Sequence, residues 1–537
     1  MMMFCYQCEE TVGGKGCDRL GVCGKTEDVA NLQDLLVYVC KGISYYLVEL
    51  RASGINDETS DIFIMESLFS TITNANFDRE FFMQKIAEGL DIKRRLKEKV
   101  KSQNAPDCAD WDGSDFDEKA KSVGLLSTID EDLRSLRWTI IYALKGMSAY
   151  AHHSYVLGYK DEGIFAFMES ALNSAASETD KGKLMDIVDR CGAMGLSVME
   201  LLDKANTSKY GTPEPTKVNI AAGIRPGILI SGHDLGDLDI LLKQAEGKGI
   251  DIYTHGEMLP ANAYPYFKRQ KHLVGNYGGS WWLQGTDFEN FNGPIILTTN
   301  CLIPPKDSYK NRVYVTGVVG FQGLKRIPEK KGIKDFTEVI EYAAKCQPPK
   351  AGEQGTIDSG FAYGTLASAA PKILELVQAG KIKRFVVMAG CDGRHKDRSY
   401  YTDYAKALPG DTVILTAGCA KYRYNKLELG EIEGIPRVID AGQCNDSYSL
   451  IKIALALKNA VGAESVNDLP LTFNIAWYEQ KAALILLTLL HLGIKDITLG
   501  PRLPAFLSPN VRKQIVEKTG LRLNSNVSED MRLHLGR

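Results

Sequence analysis

No stretch of 18 apolar residues occurs in the 537-residue chain, which excludes a membrane-crossing helix from the expected architecture. Charge of one sign is not in excess either. Sixty-four basic residues stand against 67 acidic ones, leaving neither a basic field for nucleic acid nor an acidic tail, so small molecules are the expected partners. The segment MMMFCYQCEE lacks a cationic flank followed by an apolar core, and a soluble, cytoplasmic protein is predicted. Neither GxxxxGK followed by Ser or Thr nor a well-placed GxGxxG is present, so no nucleotide, flavin or nicotinamide fingerprint can be read. No short-period repeat or low-complexity segment is evident. Cysteine is also sparse. Twelve cysteines in so long a chain do not make a disulfide scaffold, and clustered thiols in a reducing compartment bind metal or perform redox chemistry.

What the chain does contain divides into three parts, as its length leads one to expect. Residues 1–210 read as a cluster loop followed by a helical bundle, 216–355 as one α/β domain and 356–537 as a second, both with mainly parallel sheets. In CYQCEETVGGKGCDRLGVCGK, Cys5, Cys8, Cys17 and Cys23 are separated by two, eight and five residues. Glycines let this loop wrap an inorganic core and aim amide N–H groups at its sulfurs. A structural zinc knuckle wants two close pairs of ligands, which the later spacings fit poorly. Apolar residues three and four apart then mark long helices in DVANLQDLLVYVCKGISYYLVEL, FDREFFMQKIAEGLDIKRRLKEKV and DEDLRSLRWTIIYALKGMSAYAHHSYVLG. His152 and His153 end the last of these, where a helix terminus or solvent is the expected surrounding. Cys40, Cys108, Cys191 and Cys346 stand outside any ligand spacing and read as incidental thiols. The prolines and glycine of KYGTPEPTKVNI mark a linker near 209–220.

Beyond the linker, strand-like runs repeatedly stop at a residue able to bind metal. GILISGH ends at His233, DIYTHGE at Glu257 and PIILTTNC at Cys301; further on, RFVVMAGC ends at Cys391, TVILTAGC at Cys419, RVIDAGQC at Cys444 and LTFNIAWYE at Glu479. Open α/β sheets gather ligands beyond the carboxyl ends of their strands, so seven such endings predict side chains converging on one buried point. Four thiolates, an imidazole and two carboxylates exceed what one tetrahedral zinc needs, and they suit iron bridged by both sulfide and oxygen. His255, in the same turn as Glu257, competes with His233 on the residues alone. His395 is expected in solvent beside Lys396, Asp397 and Arg398. Asn300, Trp477 and Tyr478 either back the donors they precede or serve packing alone, as strand residues of these types usually do.

CYQCEE, SGHDL, THGEMLP, TTNCLIPP, GCDGR, LTAGCAKYRYN, DAGQCND and WYEQKA, in this order, together resemble the hybrid cluster proteins, also called prismane proteins or hydroxylamine reductases. The resemblance runs from Cys5 to Lys481. It implies a [4Fe-4S] cubane on Cys5, Cys8, Cys17 and Cys23. It likewise implies a hybrid [4Fe-2O-2S] cluster on His233, Glu257, Cys301, Cys391, Cys419, Cys444 and Glu479, with Cys391 as a persulfide and His233 favoured over His255. The implied activity is reduction of hydroxylamine to ammonia and water, with Glu257, His233, Cys391, Glu479 and Lys481 as candidate catalytic residues. Glu257 and His233 would carry protons, and Lys481 would donate one if burial lowers its pKa or else pair with Glu479. Nitric oxide reduction, or a sensor that transfers nitrosyl groups to other thiols, is the alternative. A carbon monoxide dehydrogenase is disfavoured by the two carboxylates. Electrons would come from a ferredoxin-like carrier or an NADH-linked reductase.

Overall fold

The computed structural model describes residues 3–100 and 105–536. After the cysteine loop the chain forms a helical bundle whose long members are Glu27–Ala52, Glu58–Ser70, Arg79–Lys97, Glu131–Val156, Glu162–Ser177 and Lys181–Tyr210. Aspartates 57, 78, 130, 161 and 180 start five of these helices, each carboxylate accepting from a first-turn amide. Such caps satisfy donors that the helix leaves open and favour the positive end of its dipole. Helix Glu131–Val156 runs through the middle, buried on every side between Ser135 and Ser154 except at Arg137.

Two six-stranded sheets follow, with every pairing inside them parallel. The first runs Leu273–Asn276, Asp251–His255, Gly227–Ser231, Ile295–Leu297, Val313–Val315, Lys325–Arg326. The second runs Val438–Asp440, Thr412–Thr416, Arg384–Val387, Leu471–Ala476, Thr498–Gly500, Arg522–Leu523. Numbered along the chain, both have strand order 3-2-1-4-5-6, the doubly wound arrangement that opens a crevice between strands 1 and 4. The predicted fold class is thereby met, and the predicted side-by-side strands before His233 and Glu257 do pair.

The predicted linker is only half irregular. Helix Lys181–Tyr210 reaches its first residues, and Thr216–Asn219 then pairs antiparallel with Thr356–Ser359, setting Val218 against Ile357. Burying that apolar pair stabilises a strand that its prolines conceal, since each such side chain is worth about 1.5–3 kcal/mol. Bundle and second sheet share one continuous apolar core, in which Leu144 and Met147 join Leu484 and Leu489. Their contact is close because Gly192 of helix Lys181–Tyr210 lies on helix Gln480–His491, where a Cβ would strike the Leu487 carbonyl. The helix that follows Glu479 is thus clamped from below by the bundle.

Candidate metal centres

The seven predicted donors line a single buried cavity. Their positions follow from the topology. His233 and Cys301 lie beyond strands 1 and 4 of the first sheet, Cys391 and Glu479 beyond strands 1 and 4 of the second, so both topological switch points face one another. Glu257 and Cys419 follow the second strand of each sheet, and Cys444 the third of its own. Gly390 turns at φ 110°, and a Cβ there would collide with the Ala476 carbonyl, so the Cys391 turn needs glycine. Cys301 itself holds a left-handed φ of 82°, a strained conformation for a residue with a Cβ.

Ligand atoms of His233, Glu257 and Cys444 all fall within 4.8 Å of one another. Thr299 Oγ1 sits 2.8 Å from His233 Nδ1, which leaves Nε2 facing Glu257 Oε2 at 3.7 Å and Lys481 Nζ at 3.0 Å. Glu257 Oε2 accepts the Cys444 amide at 2.8 Å, while its Oε1, fully buried, has no hydrogen-bond partner among the described residues. Lys481 Nζ also donates to Asn300 Oδ1 at 2.8 Å and lies 3.7 Å from Glu479 Oε1. Glu479 caps its own helix by accepting the Lys481 amide at 2.9 Å.

Burial pushes the Glu257 and Glu479 carboxyls and the Cys391 thiol up and His233 down. Cys444 is pushed up to about 12, chiefly by burial. Desolvation therefore opposes the ionised forms of sulfur and oxygen alike. A cationic inorganic core would reverse that preference, and the unpartnered Glu257 oxygen is a donor in need of one. These donors fit an iron cluster of mixed sulfur and oxygen character. The fall in pKa that proton donation by Lys481 would need does not occur, which leaves its pairing with Glu479. Burial lowers the pKa, but the surrounding Cys444, Glu479, Cys301 and Glu257 charges outweigh burial and hold the ammonium charged.

Cys5, Cys8, Cys17 and Cys23 line a second, smaller cavity. Cys5 and Cys17 exchange backbone hydrogen bonds of 2.9 and 2.8 Å, which folds the loop back on itself. Beside this cage Lys25 and Lys145 are buried, and among the described residues neither has a carboxylate within 4.0 Å. Two buried lysines without a carboxylate partner, beside four thiols, fit an anionic group such as a cubane.

Other expectations meet the structure unevenly. His255 is bound to Ser231 Oγ at 2.9 Å and Asp287 at 3.3 Å, outside the donor cavity. His152 and His153 are buried rather than at a solvated terminus, because the bundle wraps their helix on all sides. The His153 ring stacks on His233 at 6.0 Å, and burial drives its pKa down to about 3. His395 keeps a side chain 40% exposed beside the exposed Lys396 and Asp397 while leaning on Arg502 at 3.1 Å, and Arg398, contrary to the expected solvated run, is wholly buried. Arg398 bonds Glu9 at 2.8 Å and the Cys391 and Trp477 carbonyls at 3.2 and 2.7 Å. Cys40, Cys108 and Cys191 are buried apart from both cavities. Asn300 and Tyr478 line the donor cavity, whereas Trp477 packs on Phe506. Tyr150, whose hydroxyl lies 3.2 Å from Cys444 Sγ, gave no sequence signal beyond a place on an apolar helix.

Two buried thiol cages beneath a pair of doubly wound sheets define a protein built around inorganic clusters. The chain belongs to the Prismane/CO dehydrogenase family, which it matches over residues 3–532 and whose prismane members carry iron–sulfur clusters. It is 58% identical to "Hydroxylamine reductase" of Caldanaerobacter subterraneus subsp. tengcongensis and 56% identical to that of Clostridium novyi, each alignment covering 100% of both chains. Among solved structures, carbon monoxide dehydrogenase IV from Carboxydothermus hydrogenoformans superposes with a TM-score of 0.58 at 16% identity, covering 99% of this chain and 92% of that one. At such identity the likeness concerns the fold alone. The family read from the sequence is borne out.

Proposed function

We propose that this protein reduces hydroxylamine to ammonia and water at a hybrid [4Fe-2O-2S] cluster held by His233, Glu257, Cys301, Cys391, Cys419, Cys444 and Glu479. Cys391 is its persulfide ligand. A [4Fe-4S] cubane on Cys5, Cys8, Cys17 and Cys23 takes electrons from a ferredoxin-like carrier or an NADH-linked reductase, and the reaction proceeds in the cytoplasm. The observation that carries this reading is the convergence of all seven donors on one buried cavity from the strand ends of both sheets. Full-length relatives named hydroxylamine reductase support it.

When bound, the hybrid cluster supplies electrons and a Lewis-acidic iron beside its oxygen donors, which weakens an N–O bond. The chain supplies the rest. Lys481, charged and fixed by Asn300, His233 and Glu479, places a fixed positive charge where negative charge develops on the leaving hydroxyl. Asn300 Oδ1 and Thr299 orient the ammonium and the imidazole. The walls around Trp281 and Tyr478 keep bulk water out.

Anaerobic assay of iron, acid-labile sulfide and ammonia tests the reading. About eight irons per chain, with fewer sulfides than irons, and ammonia formed from hydroxylamine are expected. Cys17→Ser and Cys444→Ser should each remove about half of the iron, from different clusters. One or two zinc ions per chain would sink the cluster assignment. Binding without turnover would replace the enzyme with a sensor, and turnover of nitric oxide alone would reassign the substrate.

A further inference from the structure

Two cavities stand in series between the surface and the amino-terminal thiol cage. The outermost, about 20 Å³, lies between Asp34 and the turn around Gly124 and Leu125. The next, about 10 Å³, is lined by Asp34, Gln7, Cys5 and Lys145. The cage itself shares Cys5, Gln7 and Lys25 with that middle cavity. Asp34 lines the first two, and Lys145 lines the second. These volumes are near the size that admits single waters.

We propose that Asp34 and Lys145 form a proton inlet to the amino-terminal cage, through which one proton is taken from solvent for each electron the cage receives. The inlet rests on the cubane proposed above. Lys145 is 2% exposed and, among the described residues, donates to neutral oxygens alone, Gln7 Oε1 at 3.1 Å and the Thr71 carbonyl at 3.3 Å. The Asp34 carboxylate accepts the Leu125 amide at 3.3 Å and has no cation within 4.0 Å among the described residues. An ammonium without a carboxylate partner, buried at a thiol cage, is stabilised by whatever negative charge the cage carries. Burial, the largest influence on both groups, lowers Lys145 and raises Asp34, so their proton affinities converge. Lys25, Asp34, Cys5 and Cys40 face Lys145, while Lys145, Lys25 and Lys41 face Asp34. Of these, Lys25 opposes protonation of Lys145 and the acidic groups favour it.

The step balances. The reduced carrier gives up one electron and is oxidised; the cage side gains one negative charge, and the Lys145 nitrogen gains one proton passed from solvent by Asp34. When the electron moves inward, the proton returns by the same route. Lys145 is therefore a tuning residue that acts through charge rather than by touching substrate.

The test is an anaerobic, EPR-monitored redox titration of the holoenzyme at several pH values. In the wild type the midpoint potential of the amino-terminal cluster should fall by about 59 mV per pH unit across the neutral range, the value for one proton per electron. Lys145→Met and Lys145→Arg should flatten that slope, the arginine variant at a higher potential because it keeps its charge. Asp34→Asn should keep the slope and slow its re-establishment after a pH jump. Lys145→Arg preserves bulk and charge, and its iron content certifies folding if the methionine variant loses metal. A flat wild-type slope, or a slope that survives both Lys145 variants, overturns the inlet. A wild-type enzyme with no amino-terminal cluster signal overturns the cubane assignment, and the inlet with it.

Discussion

The side-chain amide of Gln480 donates to the carbonyl of Gln7 over 2.7 Å. Next to it the Glu9 amide donates to the Tyr478 carbonyl over 2.9 Å. Cys8 is thus bracketed by the two bonds on one strand of this crossing and Glu479 on the other, so each cage has a candidate ligand in the same clasp. Gln480 is wholly buried, and its Oε1 also accepts the Thr73 amide at 2.8 Å.

Replacing Gln480 with Leu leaves the Gln7 carbonyl and the Thr73 N–H buried without partners. Each such orphan costs about 1–3 kcal/mol. The variant should melt earlier than the wild type in calorimetry while Gln480→Glu, which keeps the acceptor for Thr73, loses less. Equal melting of wild type and Gln480→Leu would show that the clasp carries no stability.

Lys481→Met removes the charged donor that Asn300, His233 and Glu479 hold in place. Loss of a positioned charge of this kind typically slows turnover by about 10²–10³-fold. Hydroxylamine-dependent ammonia formation should fall within that range with iron content unchanged. A variant that loses iron instead would make Lys481 a structural counter-charge for the cage.

The donor residues were legible because each stands at the end of an apolar run, and the strand ends of a doubly wound sheet converge by topology rather than by local contact. What covers a helix face is not written locally. Helix Glu131–Val156 reads as a long helix with apolar residues three and four apart and a histidine-bearing end, yet small residues such as Ala143, Gly146, Ser148 and Ala149 let neighbours close over every face. Tyr150 meets Cys444 across 294 positions, and His153 meets His233 across a domain's width of sequence. The charges of Lys396, Asp397 and Arg398 argued for solvent, but Glu9, nearly four hundred positions earlier, claims the arginine. Pairings at such separations leave no periodicity to read.

Arg398 and Glu9 are both fully buried, their side chains 0% exposed, at 2.8 Å. Arg398→Met strands part of the Glu9 charge, although Arg502 still holds Oε1 at 3.0 Å. Breaking a buried pair from one side costs about 3–5 kcal/mol, so a loss near the lower end is expected. Lys372→Ala, which breaks an exposed pair with Glu375 at 3.2 Å, should change stability by under about 1 kcal/mol. Thermal unfolding of the two variants side by side distinguishes a keystone from a solvated pair; equal shifts would deny Arg398 that role.

His534 closes the chain's last helix against the second sheet, with Nδ1 2.6 Å from the Tyr404 hydroxyl and Nε2 2.8 Å from Thr498 Oγ1. Burial, aided by Arg522, lowers its pKa from 6.5 to about 4. A histidine depressed in the folded state is neutral there while the unfolded chain already binds a proton. Its contribution is therefore complete above pH 6.5 and is lost as pH falls from 6.5 toward 4. At 1.36 kcal/mol per pKa unit the whole effect is at most about 3 kcal/mol. His534→Gln, which can replace one of the two hydrogen bonds but cannot titrate, should show a shallower decline of melting temperature across that window. At pH 8 the variant should be the less stable of the two, and near pH 4.5 the gap should narrow. Parallel pH profiles for wild type and variant would show that the acid lability of this enzyme arises at other groups.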